Sequence, residues 1–128
     1  LGRLLGLLFQ IRDDVIDVTG FKEGREIGGD IAEGKITLMA THFLAGNARS
    51  EERREVAEIL GRPKGQTGGE DVHRVAELYF KHGSVDHCIE KLRDYESAIQ
   101  EMTILTQRPK LKAGMAEVLE RLRQGVPR

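Results

Sequence analysis

The sequence predicts an all-α fold, a helical bundle, and three observations carry that expectation. Apolar residues recur every three or four positions in one segment after another, no stretch alternates apolar with polar, and the breaks hold glycine or proline. Leu4, Leu5, Leu8, Phe9, Ile11, Val15 and Ile16 fall at helical spacing, so residues 1–19 read as a helix ending near Gly20. Residues 20–34 hold five glycines among charged residues and are expected to be a loop that sustains no helix. A second helix is expected from Lys35 through Leu38, Phe43 and Leu44 to Asn47. Ser50 reads as an N-cap, with Glu51 and Glu52 in the favourable first turn and Gly61 past the end. Gly61–Gly69, with Pro63, is a second loop. Val72, Val75, Ala76 and Tyr79 mark the next helix, interrupted at Gly83; Val85, Ile89, Leu92, Tyr95, Ile99 and Met102 mark the one after it. Beyond Pro109 a last amphipathic helix uses Leu111, Met115, Val118, Leu119 and Leu122.

Composition narrows the function classes. Twenty basic residues against 21 acidic ones give a net charge of −1, which argues against a general nucleic-acid binder, because that needs a concentrated basic surface. Cys88 is the only cysteine, so no internal disulfide can form, and a reducing, cytoplasmic setting is expected. The run Leu4–Phe9 is too short to cross a bilayer, and Arg12 and Asp13 fall where a signal-peptide cleavage site would be needed. Leu1 opens in mid-pattern without an initiator methionine, as expected of a piece of a longer chain.

The chemistry is concentrated near the start. In Phe9-Gln10-Ile11-Arg12-Asp13-Asp14-Val15-Ile16-Asp17, the carboxylates of Asp13 and Asp17 are four residues apart and share a helix face, with Asp14 beside them and Gln10 on the same flank. Like charges so placed destabilise a helix unless a cation neutralises them. Hard oxygen donors on a rigid element suit Mg²⁺, which takes one or two carboxylates and completes its shell with water and phosphate oxygens. Taken alone, the string reads more readily as a solvated acidic face paired with Arg12 or Lys22. Downstream, Gly24, Gly28, Gly29 and Gly34 allow close backbone approach to a ligand, and Arg25 and Lys35 offer cationic donors to phosphate. The Walker spacing is absent, and the bland reading of this stretch is a charged surface connection.

Taken together, Gly2, Gly6, the Phe9–Asp17 string and Gly28-Gly29-Asp30-Ile31-Ala32-Glu33-Gly34-Lys35-Ile36-Thr37-Leu38 closely resemble the C-terminal part of trans-type isoprenyl diphosphate (polyprenyl) synthases. Within that family the chain looks most like the geranylgeranyl diphosphate synthase branch; the match is dense over residues 2–38 and diffuse afterwards. The resemblance implies an isoprenoid synthase-type helical fold and a prenyltransferase that joins an allylic diphosphate to isopentenyl diphosphate. Residues 1–128 would form its C-terminal segment, with the second aspartate-rich motif at 13–17 and a diphosphate-binding loop at 20–37. By the same carry-over Asp13 would bind Mg²⁺ directly and Asp14 and Asp17 would hold metal-bound water. Gln10 would line the cavity, and Lys35, with Arg25 in support, would contact the allylic diphosphate.

The chain departs from the family pattern in three ways. Arg25 and Glu26 stand where a second lysine is usual, Met39 stands where proline is common, and no first aspartate-rich motif or isopentenyl diphosphate site occurs. The upstream half is therefore expected to be missing, the isolated chain inactive, and the complete enzyme a homodimer. Two rivals stay open: a non-catalytic regulatory or binding subunit of a prenyl synthase, and a terpene cyclase, against which the glycine-lysine loop speaks.

Other residues invite less. His82, His87 and Cys88 suggest zinc, but no second pair completes four ligands, so surface histidines and a half-buried cysteine are expected, with His42 and His73 unplaced. The stripe Val85–Met102 reads as bundle packing rather than a coiled coil, and Arg121, Arg123 and Arg128 as a solvated end.

Overall fold

The computed structural model describes residues 2–20, 27–104 and 108–126, the side chain of residue 104 apart, and its regular elements there are all helical. In chain order they are α1 (Gly2–Thr19), α2 (Gly29–Ala32), α3 (Leu38–Ala45), α4 (Ser50–Leu60), α5 (Gly69–Lys81), α6 (Ser84–Ile104) and α7 (Pro109–Arg123).

α6 is the spine. It packs against α1, α3, α5 and α7, and its Val85, Cys88, Ile89, Leu92 and Ile99 are buried in one shared core. α1 faces it with Leu8, Ile11, Val15 and Val18, the three-and-four spacing of a single apolar stripe. Phe43 on α3 lies against Tyr79 on α5 with ring centroids 5.7 Å apart, and both rings are fully buried. Truncating such a ring to alanine costs about 3–5 kcal/mol, and Met39 and Ala40 join Phe43 in anchoring α3. α7 closes the bundle through Met115, Leu119 and Leu122. Its end is also tied to α1: Arg12 Nε donates to the carbonyl of Leu122 at 3.0 Å and Nη2 to that of Gln124 at 3.4 Å.

The ends of several helices differ from expectation, each for a local reason. The stretch 20–34 contains a helical turn, α2, which survives despite its glycines because α1 caps it from a distance. α3 starts at Leu38 rather than Lys35, since Thr37 is extended and its hydroxyl accepts from the Ala40 amide at 3.1 Å. It stops at Ala45, short of Asn47, because Gly46 is extended. Met39, in place of the family's proline, is fully buried in the second position of that helix. Arg49, not Ser50, takes the cap position of α4; the Glu52 carboxylate reaches back to the Arg49 amide at 3.3 Å, so Ser50 becomes the first helical residue. The break at Gly83 is as expected: φ is +77° there, and α6 starts at once.

The apolar pattern overreaches in places. Phe9 remains 43% exposed, and Met102 and Leu111 are also exposed, because each sits at the edge of its helix's buried stripe. Among the described residues no helix is long and apolar enough to cross a membrane.

Candidate functional site

α1 turns its acidic residues two ways. Asp13 has a side chain 59% exposed and pairs with the neighbouring Arg12 at 3.4 Å; Gln10, one turn earlier, is exposed too. Asp14 points inward and is 3% exposed. Asp17, one turn on, is partly buried and engaged with the following loop. The flank expected to carry Gln10, Asp13, Asp14 and Asp17 together is thus split, with Asp14 drawn under the loop.

The loop folds back over α1 through main-chain contacts. The Gly28 amide donates to the Asp17 carbonyl at 2.8 Å, and the Asp30 amide donates to Asp17 Oδ2 at 3.0 Å. Gly28 is at the N-cap of α2 with φ +87° and has no side chain to cap it; the carboxylate of Asp17 supplies the missing acceptor. After the turn, the Lys35 amide donates to the Asp30 carbonyl at 2.9 Å. The Lys35 ammonium then stands 3.6 Å from Asp14 Oδ1. Asp17, Asp30, Lys35 and Asp14 therefore close a ring that leaves α1 at one turn and returns to it at the previous one.

Two of the glycines are needed for packing within the chain. A Cβ on Gly28 would run into Val72 Cγ1 of α5, and one on Gly34, where φ is +70°, into the Leu60 carbonyl oxygen of α4. Gly29 is looser, with a Cβ there 3.4 Å from Asp17 Oδ1. Gly24 and Arg25, expected to contribute room and charge for phosphate, and Lys22, a candidate partner of the acidic face, lie outside the described residues.

The ring has an electrical peculiarity. Asp14 Oδ1 is buried and has no hydrogen-bond partner among the described residues; Lys35 is close enough to pair by charge but too far for a hydrogen bond. Burial pushes the Asp14 carboxyl above its ordinary value, Asp30 and Asp13 add to the rise, and Lys35 opposes it. The Lys35 side chain is 48% exposed, so its charge faces both the buried carboxylate and solvent. Behind the ring, burial and the Asp14 charge push the Cys88 thiol up to about 11.

His73 is exposed as expected, but His42, His82 and His87 are partly buried. His42 and His87 stack with centroids 4.2 Å apart, and His42 Nδ1 is 2.9 Å from the hydroxyl of fully buried Ser84. His82 Nε2 is 3.0 Å from buried Glu52, which also accepts from Lys81. Helices α3, α4 and α6 and the end of α5 meet at these polar contacts, which sequence spacing could not reveal. Cys88 is fully buried rather than half-buried. Among the described residues no three His, Cys, Asp or Glu side chains converge to cage a metal ion.

Asp30 is the participant to which sequence reasoning gave no role. An acidic residue right after paired glycines, in the first turn of a short helix, was the available signal.

Comparison with known proteins places the chain in a family. The polyprenyl synthetase family matches residues 1–79. A short chain isoprenyl diphosphate synthase of Methanothermobacter thermautotrophicus is 38% identical over 90 residues, which are 68% of this chain and 26% of that protein. A geranylgeranyl pyrophosphate synthase of Geoglobus acetivorans is 35% identical over 106 residues, 81% of this chain and 30% of that one. The crystal structure of geranylgeranyl pyrophosphate synthetase from Pyrococcus horikoshii Ot3 matches with a TM-score of 0.83 at 29% identity, over 96% of this chain and 37% of that one. The helices are those of an isoprenoid synthase fold, and the chain belongs to the polyprenyl synthetase family. It spans 26% to 37% of the length of these relatives.

Proposed function

We propose that this chain supplies the diphosphate-holding half of a prenyl-transfer site, which acts when an allylic diphosphate is condensed head to tail with isopentenyl diphosphate. The observation that carries the reading is the buried Oδ1 of Asp14, without a hydrogen bond among the described residues and paired by charge alone with a half-exposed Lys35, next to the exposed carboxylate of Asp13. A buried acceptor left without a hydrogen bond costs about 1–3 kcal/mol, which a structure retains where the atom has a use.

The residues present fit a magnesium ion of the kind that needs no cage. Mg²⁺ takes one or two protein carboxylates and completes its shell from water and phosphate, so the absence of a three-residue cluster among the described residues does not count against it. Asp13 and Asp14 are the residues that would hold it. When bound, the ion would act as a Lewis acid, polarising diphosphate oxygens and easing their departure as a leaving group.

The chain's own groups do the rest. The ammonium of Lys35, held 3.6 Å from Asp14, can turn to donate to a diphosphate oxygen without leaving the carboxylate's field. That donor is preorganised, because the Lys35 amide is already fixed to the Asp30 carbonyl, and little reorganisation accompanies the build-up of negative charge. Gln10, exposed one turn before Asp13, offers an amide to the same open face.

Calorimetry with inorganic diphosphate tests the reading on the chain as it stands. Weak, Mg²⁺-dependent binding is expected, lost in Asp13→Ala and in Lys35→Ala. Tight binding without metal, or binding indifferent to both substitutions, would overturn it. In a chain completed by an upstream half, both substitutions should abolish isopentenyl incorporation.

A further inference from the structure

The resemblance treats the three aspartates of α1 as metal-associated; in the structure the third also makes a contact within the chain. Asp17 Oδ2 accepts the Asp30 amide at 3.0 Å across thirteen residues, and its carbonyl accepts the Gly28 amide at 2.8 Å. These two bonds fix both ends of the Gly28–Asp30 turn to α1. Asp30 passes the constraint on, since its carbonyl takes the Lys35 amide at 2.9 Å. Lys35 then meets Asp14, which sits three residues before Asp17 on the same helix. No other side chain among the described residues donates to or accepts from this turn's main chain, and Gly28, its N-cap, has none to offer.

We propose that Asp17 is a positioning residue: it acts through the Asp30 main chain to set where Lys35 stands, and the property that matters is its hydrogen-bond acceptor rather than its negative charge. The glycine pair fits that task. Gly29 brings the main chain close to Asp17, with room for only an ordinary contact at 3.4 Å, and Gly28 takes up a left-handed φ so that successive amides turn back towards α1. An acceptor on a rigid helix thereby replaces the local cap that an Asn, Ser or Asp at Gly28 would give. The functional consequence rests on the reading of Lys35 as the diphosphate donor; the brace itself does not.

A ligand role and a positioning role separate in the isosteric variant. An amide oxygen accepts the Asp30 N–H as a carboxylate does, but it carries no charge for a cation. In the full 128-residue chain, amide hydrogen exchange at Asp30 should be accelerated about tenfold or more in Asp17→Ala and stay within about threefold of wild type in Asp17→Asn, while the amide of Leu92 in α6 is unaffected by either. Calorimetry with inorganic diphosphate and Mg²⁺ should follow the same order, with affinity largely kept in Asp17→Asn and lost in Asp17→Ala.

If Asp17→Asn loses Mg²⁺-dependent binding as fully as Asp17→Ala, charge is what matters and the proposal falls. It falls equally if Asp30 exchange in Asp17→Ala matches wild type. Should the wild-type chain bind no diphosphate under any condition, the reading of the site fails, and the exchange rates alone still decide whether Asp17 braces the turn.

Discussion

Gly34 and Leu60 meet backbone to backbone: the α-carbon of one lies so close to the carbonyl oxygen of the other that no side chain fits between them. The residue directly before Lys35 is thus pressed against the last residue of α4, and the lysine's position depends on a helix that shares no chemistry with it.

Gly34→Ala is accordingly expected to be damaging. A Cβ there meets both a positive φ of 70° and the Leu60 carbonyl, so the loop must move. Loss of about 2 kcal/mol or more is expected from the combined backbone strain and overlap, read as a lower denaturant midpoint. Gly29→Ala, with its ordinary 3.4 Å contact and no positive φ, should cost less.

Lys35→Met should reveal the charge balance at Asp14 as a pH effect. The folded carboxyl lies above its ordinary value of 3.8, so the folded state holds the proton more tightly than the unfolded one, and stability falls as pH rises from 3.8 through the folded value. Removing the lysine takes away the attraction opposing that shift. The variant should lose about 1 kcal/mol at neutral pH, the lysine being half exposed, and nothing once Asp14 is protonated. Unfolding midpoints at the two pH values check this; an equal loss at both would show that Lys35 contributes only packing.

The histidine stack sets the opposite slope. Burial first, and the facing His87 second, hold His42 below its ordinary 6.5. The unfolded chain therefore takes up this proton more readily, and stability should decline as pH drops below 6.5 until the folded imidazole is itself charged. Asp14 and His42 lose stability in opposite directions, the first as pH rises from 3.8 and the second as it drops below 6.5. His42→Gln should flatten the decline in melting temperature between about pH 7 and about pH 5, and an unchanged slope would assign it to other groups.

Helix periodicity carried most of the fold. The stripes on α1, α5, α6 and α7 are local facts of the sequence, and Gly20, Gly61, Gly83 and Pro109 fall at real boundaries. What could not be read were features settled from a distance. The turn α2 exists because Asp17 caps it, and the placement of Arg49 rather than Ser50 at the start of α4 follows from where the Glu52 carboxylate is held by Lys81 and His82. The same holds for the site. The residue types and their order were legible, whereas the inward turn of Asp14 and the outward turn of Asp13 depend on which flank of α1 the loop covers.

Val72 has no polar atom in its side chain, yet its methyl group occupies the space where Gly28 would otherwise carry a Cβ. The curve of the loop is a cast taken from α5, about forty residues further along the chain. Transplanting the aspartate helix and its glycine loop into another scaffold would therefore carry over the text of the motif without its mould. A graft that also included the surface around Val72 should keep the turn, and one without it would leave Lys35 free to wander from Asp14.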